Sequence, residues 1–271
     1  MSRIKQVFQQ LKTTNTKALI PYVTAADPNP EMTVDLLYAM VDAGANLLEL
    51  GVPFSDPMAD GPVIQKASER SLTHGTSLLD VFSMVSTFRE KDQQTPIILM
   101  GYLNPIEVMG YKSFARQASK AGVDAVLIVD FPPEESQEFL AILAEYQLDS
   151  IFLLSPTTTD ERIKLICSQA NGFVYYVAVK GVTGSATLDT TEVSQRIKLI
   201  KSITDLPVGV GFGIKDASTA KIVGQSADAV IVGSALVNII AKGALDNEPK
   251  QSMINKITEL LSSMRTALDS K

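Results

Sequence analysis

The sequence predicts an α/β fold, a (β/α)8 TIM barrel with an extra N-terminal helix, spanning residues 1–271 as a single domain. Two observations carry this. Eight short apolar runs, rich in Val, Ile and Leu, alternate with longer segments of helical periodicity, and no linker-like or low-complexity stretch interrupts them. A length of 271 residues is also ordinary for one such barrel. A doubly wound sheet is the competing architecture. It usually has fewer strands, and no G-x-G-x-x-G follows the first strand here.

The elements follow in order. Ile4, Val7, Phe8 and Leu11 share one face of a short amphipathic helix. Ala18 to Val23 is the first strand, and Pro30 with Glu31 suits the start of the next helix, whose apolar stripe is Leu36, Leu37, Met40 and Val41. Leu47 to Leu50 is the second strand. Helical sequence then runs from Val63 to about Arg89, broken near His74–Gly75, and Ile97 to Gly101 is the third strand. The unit recurs: a helix ends at Ala121–Gly122, Ala125 to Val129 is a strand, and Pro132, Pro133 and Glu134 start another helix. Strands at Ile151 to Leu154, Phe173 to Val177, Pro207 to Val210 and Ala229 to Val232 complete the series. Between them lie helices at Thr159–Ala170, around Val193, Ile197 and Ile200, and at Ala217–Gly224. A last amphipathic helix carries Met253, Ile257, Leu260, Leu261 and Met264.

Composition narrows the function classes. With 45% hydrophobic residues the chain can bury a large core, and a net charge of −6 argues against nucleic acid and anionic membranes as partners. The lone cysteine, Cys167, makes no internal disulfide, which suits a reducing, cytoplasmic setting, and its position beside Ile163 and Ile166 reads as packing. The first residues lack a signal-peptide core, and no apolar run approaches the roughly 20 residues that span a bilayer. Metal chemistry is not indicated. The only histidine, His74, falls at a helix break, and the same lack rules out a Ser–His–Asp triad. Lys180, the one candidate for a Schiff base, lies on the loop after the sixth strand and reads as solvated.

The chain is organised around LLELGVPFSDPMADGP, Leu47 to Pro62. Glu49 stands where the apolar pattern says core, and burying a carboxylate is costly unless it is paired or used. The following loop turns through Gly51, Pro53, Pro57 and Gly61 and carries Asp56 and Asp60. A proline-rich loop is stiff and can hold an acid opposite Glu49 at low entropic cost. The bland alternative is a strand end followed by a solvated acidic loop.

In a barrel the active face is the C-terminal end of the strands. Glu49, Tyr102, Asp130 and Tyr175 all fall at or near that end. Glycines gather late in the chain: Gly184, then Gly209, Gly211 and Gly213, then Gly233 with Ser234, where a short helix opens. Such loops let backbone N–H groups approach an anion, and in this fold the last two commonly form a phosphate site. Tight turns alone would also explain them.

These residues resemble one family. ELGVPFSDPMADGP is similar to the signature of the tryptophan synthase alpha subunit, and the likeness extends over PYVTAADP, LNP, VDFPPEES, YYVAVKGVTG, GVGFGI and VGSA, essentially the whole chain. The resemblance implies a (β/α)8 lyase that cleaves indole-3-glycerol phosphate to indole and glyceraldehyde 3-phosphate. It implies no cofactor in this chain. It implies a beta subunit carrying pyridoxal phosphate as partner, in an alpha2beta2 heterotetramer, which receives the indole. Glu49 becomes the acid at indole C3 and then the base at the side-chain hydroxyl, while Asp60 pairs with the indole N–H. Tyr102 and Tyr175 wall or hydrogen-bond the site, and Thr183 closes over Asp60. Gly184, Gly213, Gly233 and Ser234 take the phosphate; Tyr22, Leu50, Met100 and Phe212 suit an apolar slot for the ring. Asp56 matches a segment facing the beta chain, as does Asn104–Pro105. Tyr22 and Met100 stand where Phe and Leu are often found, and Ala178 where Ser is common. Two other readings stand beside this one: a different phosphate-sugar barrel enzyme, and a non-catalytic chain that regulates a beta subunit.

Overall fold

In the computed structural model, which describes residues 1–178, 190–211 and 213–270, eight parallel strands close a barrel in chain order. They are β1 (Ala18–Thr24), β2 (Leu48–Gly51), β3 (Ile97–Gly101), β4 (Ala125–Ile128), β5 (Asp149–Leu154), β6 (Val174–Val177), β7 (Val208–Gly211) and β8 (Ala229–Val232). The last strand pairs with the first, Ala18 against Ala229. Around them run α2 (Pro30–Asp42), α3 (Pro62–Leu72), α4 (Leu78–Arg89), α5 (Leu103–Met109), α6 (Tyr111–Ala121), α7 (Gln137–Glu145), α8 (Asp160–Gln169), α9 (Thr190–Ile203), α10 (Ala217–Gly224), α11 (Ser234–Leu245) and α12 (Lys250–Asp269). The extra helix α1 (Arg3–Thr14) precedes β1. The predicted fold class is the observed one.

Two buried clusters follow from the period-2 alternation of strand side chains. Ile20, Leu47, Ile98, Leu127, Ile151, Phe173 and Ile231 fill the lumen. Their sequence neighbours Leu19, Leu48, Ile97, Val126, Val174 and Val230 pack outward against the helices. Ile4 and Phe8 of α1 join the lumen cluster, so this helix plugs the N-terminal end of the barrel, with Phe8 against Phe173 at 5.8 Å. The same end is tied by Asp124, which accepts bonds from Arg3 (2.9 Å), Arg89 (2.8 Å) and the Ile97 N–H (2.8 Å). Charge at this end therefore holds structure together.

Some boundaries differ from the sequence reading, each for a local reason. The helix expected to start at Pro132–Glu134 begins at Gln137. Before it, Glu135 and Ser136 donate their N–H groups to the carbonyls of Pro132 and Pro133, closing turns of one residue less than α-helical spacing. β5 starts two residues early, because Asp149 and Ser150, polar and unpromising in sequence, are held by the Asp124 carbonyl and the Asn171 side chain. The break near His74–Gly75 is real: α3 and α4 are separate, Gly75 is left-handed (φ 70°), and exposed His74 lies 2.7 Å from the Pro28 carbonyl. The helix opened by Gly233–Ser234 is not short but 12 residues long. Cys167 is half-buried against the outer cluster, as packing requires.

Candidate active site

Strand parity selects what reaches the C-terminal mouth. Leu47 points into the lumen, so Glu49 and Gly51, two and four residues on, share that side, while Leu48 and Leu50 belong to the outer cluster. Leu50 is therefore part of the helix-facing layer, not of a slot in the lumen. Apolarity made it a candidate; one residue of register removed it. Tyr22, Met100 and Tyr175 are on the lumen side by the same rule.

Glu49 is 2% exposed, and among the described residues its Oε1 atom has no hydrogen-bond partner. Burial first, then the negative charge of Asp60, pushes its pKa up to about 8. At neutral pH this carboxyl holds its proton. Asp60 is also raised by burial, against a hydrogen bond that favours its charged form: the Tyr102 hydroxyl donates to Oδ2 at 2.9 Å. That hydroxyl in turn accepts from the Ala59 N–H at 3.0 Å, and the Tyr102 ring stacks on Phe54 at 5.0 Å. Tyr102 thus anchors the loop that carries Asp60. Asp130, at the end of β4, accepts from the Leu103 N–H at 2.8 Å and fixes the first turn of α5. Asp56 is exposed and accepts from the Ser55 hydroxyl at 2.5 Å.

The two carboxyls share one field. The Tyr175 ring is half-buried, and its phenol pKa lies well above the ordinary value, first through desolvation and then through the charges of Glu49 and Asp60. Tyr22 is raised by burial, then by Asp60 and, more weakly, Glu49. Phenols in this range act as hydrogen-bond donors, not as bases.

Glycines make room for these rings. A Cβ on Gly51 would collide with the Tyr22 hydroxyl, and one on Gly211 with the Tyr175 hydroxyl. Sequence reasoning noted Gly51 only as a turn residue and Gly211 only among the late glycines of an anion corner or tight turns. The signal that could have found them is parity: each is a glycine on the lumen side, one strand away from an aromatic ring. It also passed over Thr24, whose hydroxyl lies 3.2 Å from that of Tyr22, and Phe54.

Across the mouth, Gly213 is left-handed (φ 77°), a conformation that disfavours a side chain. Gly233 is the N-cap of α11 and brings no side chain to it, so Ser234 opens a helix whose positive end is uncapped. Tyr22 packs 3.4 Å from where a Gly233 Cβ would stand, so one ring spans from this corner to the strand of Glu49. Thr183, Gly184, Lys180 and Phe212 lie outside the described residues.

A buried, protonated acid, a second acid on a braced loop, apolar walls and an uncapped helix end on one mouth suit acid–base cleavage of an apolar, anionic substrate. The family profile described as tryptophan synthase alpha chain matches residues 8–269. The chain belongs to that family. It is a carbon–carbon lyase of tryptophan biosynthesis that cleaves indole-3-glycerol phosphate to indole and glyceraldehyde 3-phosphate. The tryptophan synthase alpha chain of Thioalkalivibrio sulfidiphilus is 58% identical to it, over 99% of this chain and 100% of the relative; that of Marinobacter nauticus is 57% identical, over 100% and 99%. The crystal structure of the alpha subunit from Legionella pneumophila str. Paris, 46% identical over 99% of both chains, has a TM-score of 0.91. A chain of the tryptophan synthase complex from Pyrococcus furiosus, 35% identical over 92% of this chain and 98% of that one, scores 0.81.

Proposed function

We propose that Glu49 protonates indole C3 and then takes the proton of the adjacent side-chain hydroxyl, while Asp60 receives the indole N–H. Indole leaves poorly until C3 is protonated. Protonation puts positive charge on the ring nitrogen, which a fixed carboxylate stabilises, and carbonyl formation then needs a base. One observation carries this reading: Glu49 is a buried carboxyl with an unpartnered oxygen and a proton held to about pH 8. An acid must be protonated at working pH, and the burial of Glu49 beside Asp60 favours that form. Asp60, braced by Tyr102, is the partner whose bond favours its charged form.

Tyr22, Met100 and Tyr175 form the walls for the ring, with Tyr102 behind Asp60; Leu50 is not among them. Gly213, Gly233 and Ser234 take the phosphate through backbone N–H groups and the end of α11. Thr183, Gly184 and Phe212 complete the same site on the resemblance alone. The whole chain, residues 1–271, works as one domain. A beta subunit carrying pyridoxal phosphate receives the indole in an alpha2beta2 heterotetramer in the cytoplasm. Family membership and the likeness to a chain of a tryptophan synthase complex support the partner. Among the described residues no helix is long and apolar enough to cross a membrane.

The test is indole release from indole-3-glycerol phosphate, with and without a beta chain. Glu49→Gln is expected to bind substrate nearly as the parent does and to lose roughly 10²–10⁴-fold in kcat. Asp60→Asn is expected to lose a similar factor. Retention of most activity by Glu49→Gln would overturn its role, and an unchanged kcat in Asp60→Asn would remove the pairing with the ring nitrogen.

A further inference from the structure

Tyr22 and Thr24 lie two residues apart on the lumen side of β1, in register with Glu49 and Gly51 of β2. Both are buried, at 6% and 1% exposure. Among the described residues, Thr24 is the hydrogen-bond partner of the Tyr22 phenol, at 3.2 Å, and the absent side chain of Gly51 leaves the notch in which that phenol sits. We propose that Thr24 is a positioning residue: its hydroxyl holds the Tyr22 phenol in the Gly51 notch and so keeps it off the Glu49 carboxyl.

The neighbours decide where a released phenol would turn, because a buried hydroxyl without a partner seeks one. Three carboxylates act on Tyr22: Asp60, Glu49 and Asp27. Asp27 is engaged by Arg70 in two bonds, at 2.7 and 2.8 Å. Asp60 is engaged by Tyr102 at 2.9 Å. Among the described residues, Glu49 alone of the three has an oxygen, Oε1, that is buried and unpartnered. Asp60, Tyr22 and Tyr175 face Glu49, and none of them neutralises it. A phenol donating to Glu49 would favour its charged form and deplete the acid that the reaction needs. This inference rests on the reading of Glu49 as the acid.

The experiment is the pH profile of kcat/KM for indole release. Glu49 must be protonated, so the rate falls as pH rises through its pKa; that alkaline limb is the readout. Thr24→Val keeps the shape and removes the hydroxyl. It is expected to move the limb to lower pH, with the rate well above the limb falling roughly tenfold per unit moved. Tyr22→Phe has no phenol to release, so its limb stays, and Thr24→Val with Tyr22→Phe behaves as Tyr22→Phe alone. Thr24→Ser restores the parental limb. Should the valine variant not fold, judged by its melting curve, Thr24→Ala carries the same comparison. A limb unmoved in Thr24→Val, or still displaced in the double variant, overturns the proposal. Glu49→Gln is assayed alongside. If it turns over, the reading of Glu49 fails; if it is inactive while the Thr24→Val limb is unmoved, only the role of Thr24 fails.

Discussion

At the scale of the residue, Glu49 sets the terms. A carboxyl with so little exposure keeps its proton because the lumen cannot solvate its charge and Asp60 adds repulsion. The consequence for stability has a definite sign. The folded pKa of about 8 lies above the ordinary 4.5, so between those values the native state holds a proton that the unfolded chain has released. Stability from this group is complete below the lower value and declines as pH rises to the upper one. Glu49→Gln, which carries no charge, is expected to be more stable than the parent at alkaline pH by on the order of a few kcal/mol. It should show no such gain below the ordinary value of 4.5, where both states hold the proton. Urea denaturation of both proteins at the two pH values checks this.

At the scale of the element, a strand delivers side chains to two compartments in strict alternation. β2 sends Glu49 to the lumen and its apolar neighbours to the helices, and β6 sends Tyr175 inward and Tyr176 outward. Aromatic rings on the inner side need space from the strand beside them. Gly51 supplies it for Tyr22, and Gly211 for Tyr175. Gly211→Ala would set a methyl group against the Tyr175 hydroxyl. The expected result is a loss of about 1–3 kcal/mol of stability from overpacking, together with a fall in kcat/KM because the displaced ring borders Glu49. The same substitution at Gly61, where an added Cβ meets nothing within 4 Å, serves as the control for stability. Thermal melts and steady-state kinetics on both variants separate the effects.

At the scale of the whole molecule, the barrel has a chemical end and a structural end. The C-terminal mouth gathers Glu49, Asp60 and the uncapped start of α11, whereas the N-terminal end is closed by α1 and by the Asp124 bonds to Arg3 and Arg89. The two ends are separated by the packed lumen layers between them. Phe8→Ala, which opens a hole under Phe173, is expected to cost about 3–5 kcal/mol of stability. In the fraction that remains folded, kcat should stay close to that of the parent. A fall in kcat matching that of Glu49→Gln would contradict this division of labour.

How much of this was legible in the sequence depends on the kind of signal. Alternating apolar runs and helical stretches were enough for the barrel and its extra helix, because hydrophobic periodicity is a local pattern. The motif from Glu49 to Pro62 was enough for the family, and it put Glu49 and Asp60 forward as the acid pair. Boundaries at Asp149 and at Pro132–Ser136 were not, because Asp149 and Ser150 owe their strand geometry to bonds from Asp124 and Asn171, tens of residues away. Nor was the notch. Gly51 and Gly211 matter only through rings on the neighbouring strands, and Thr24 through a phenol that those contacts seat, so pairing of the strands is needed before any of the three has a role. Order along the chain thus determined which elements form and which acids could react. The tertiary structure decided which side chains share the lumen, that Leu50 does not, and that Glu49 keeps its proton, because burial and the field of Asp60 exist only once the barrel has closed.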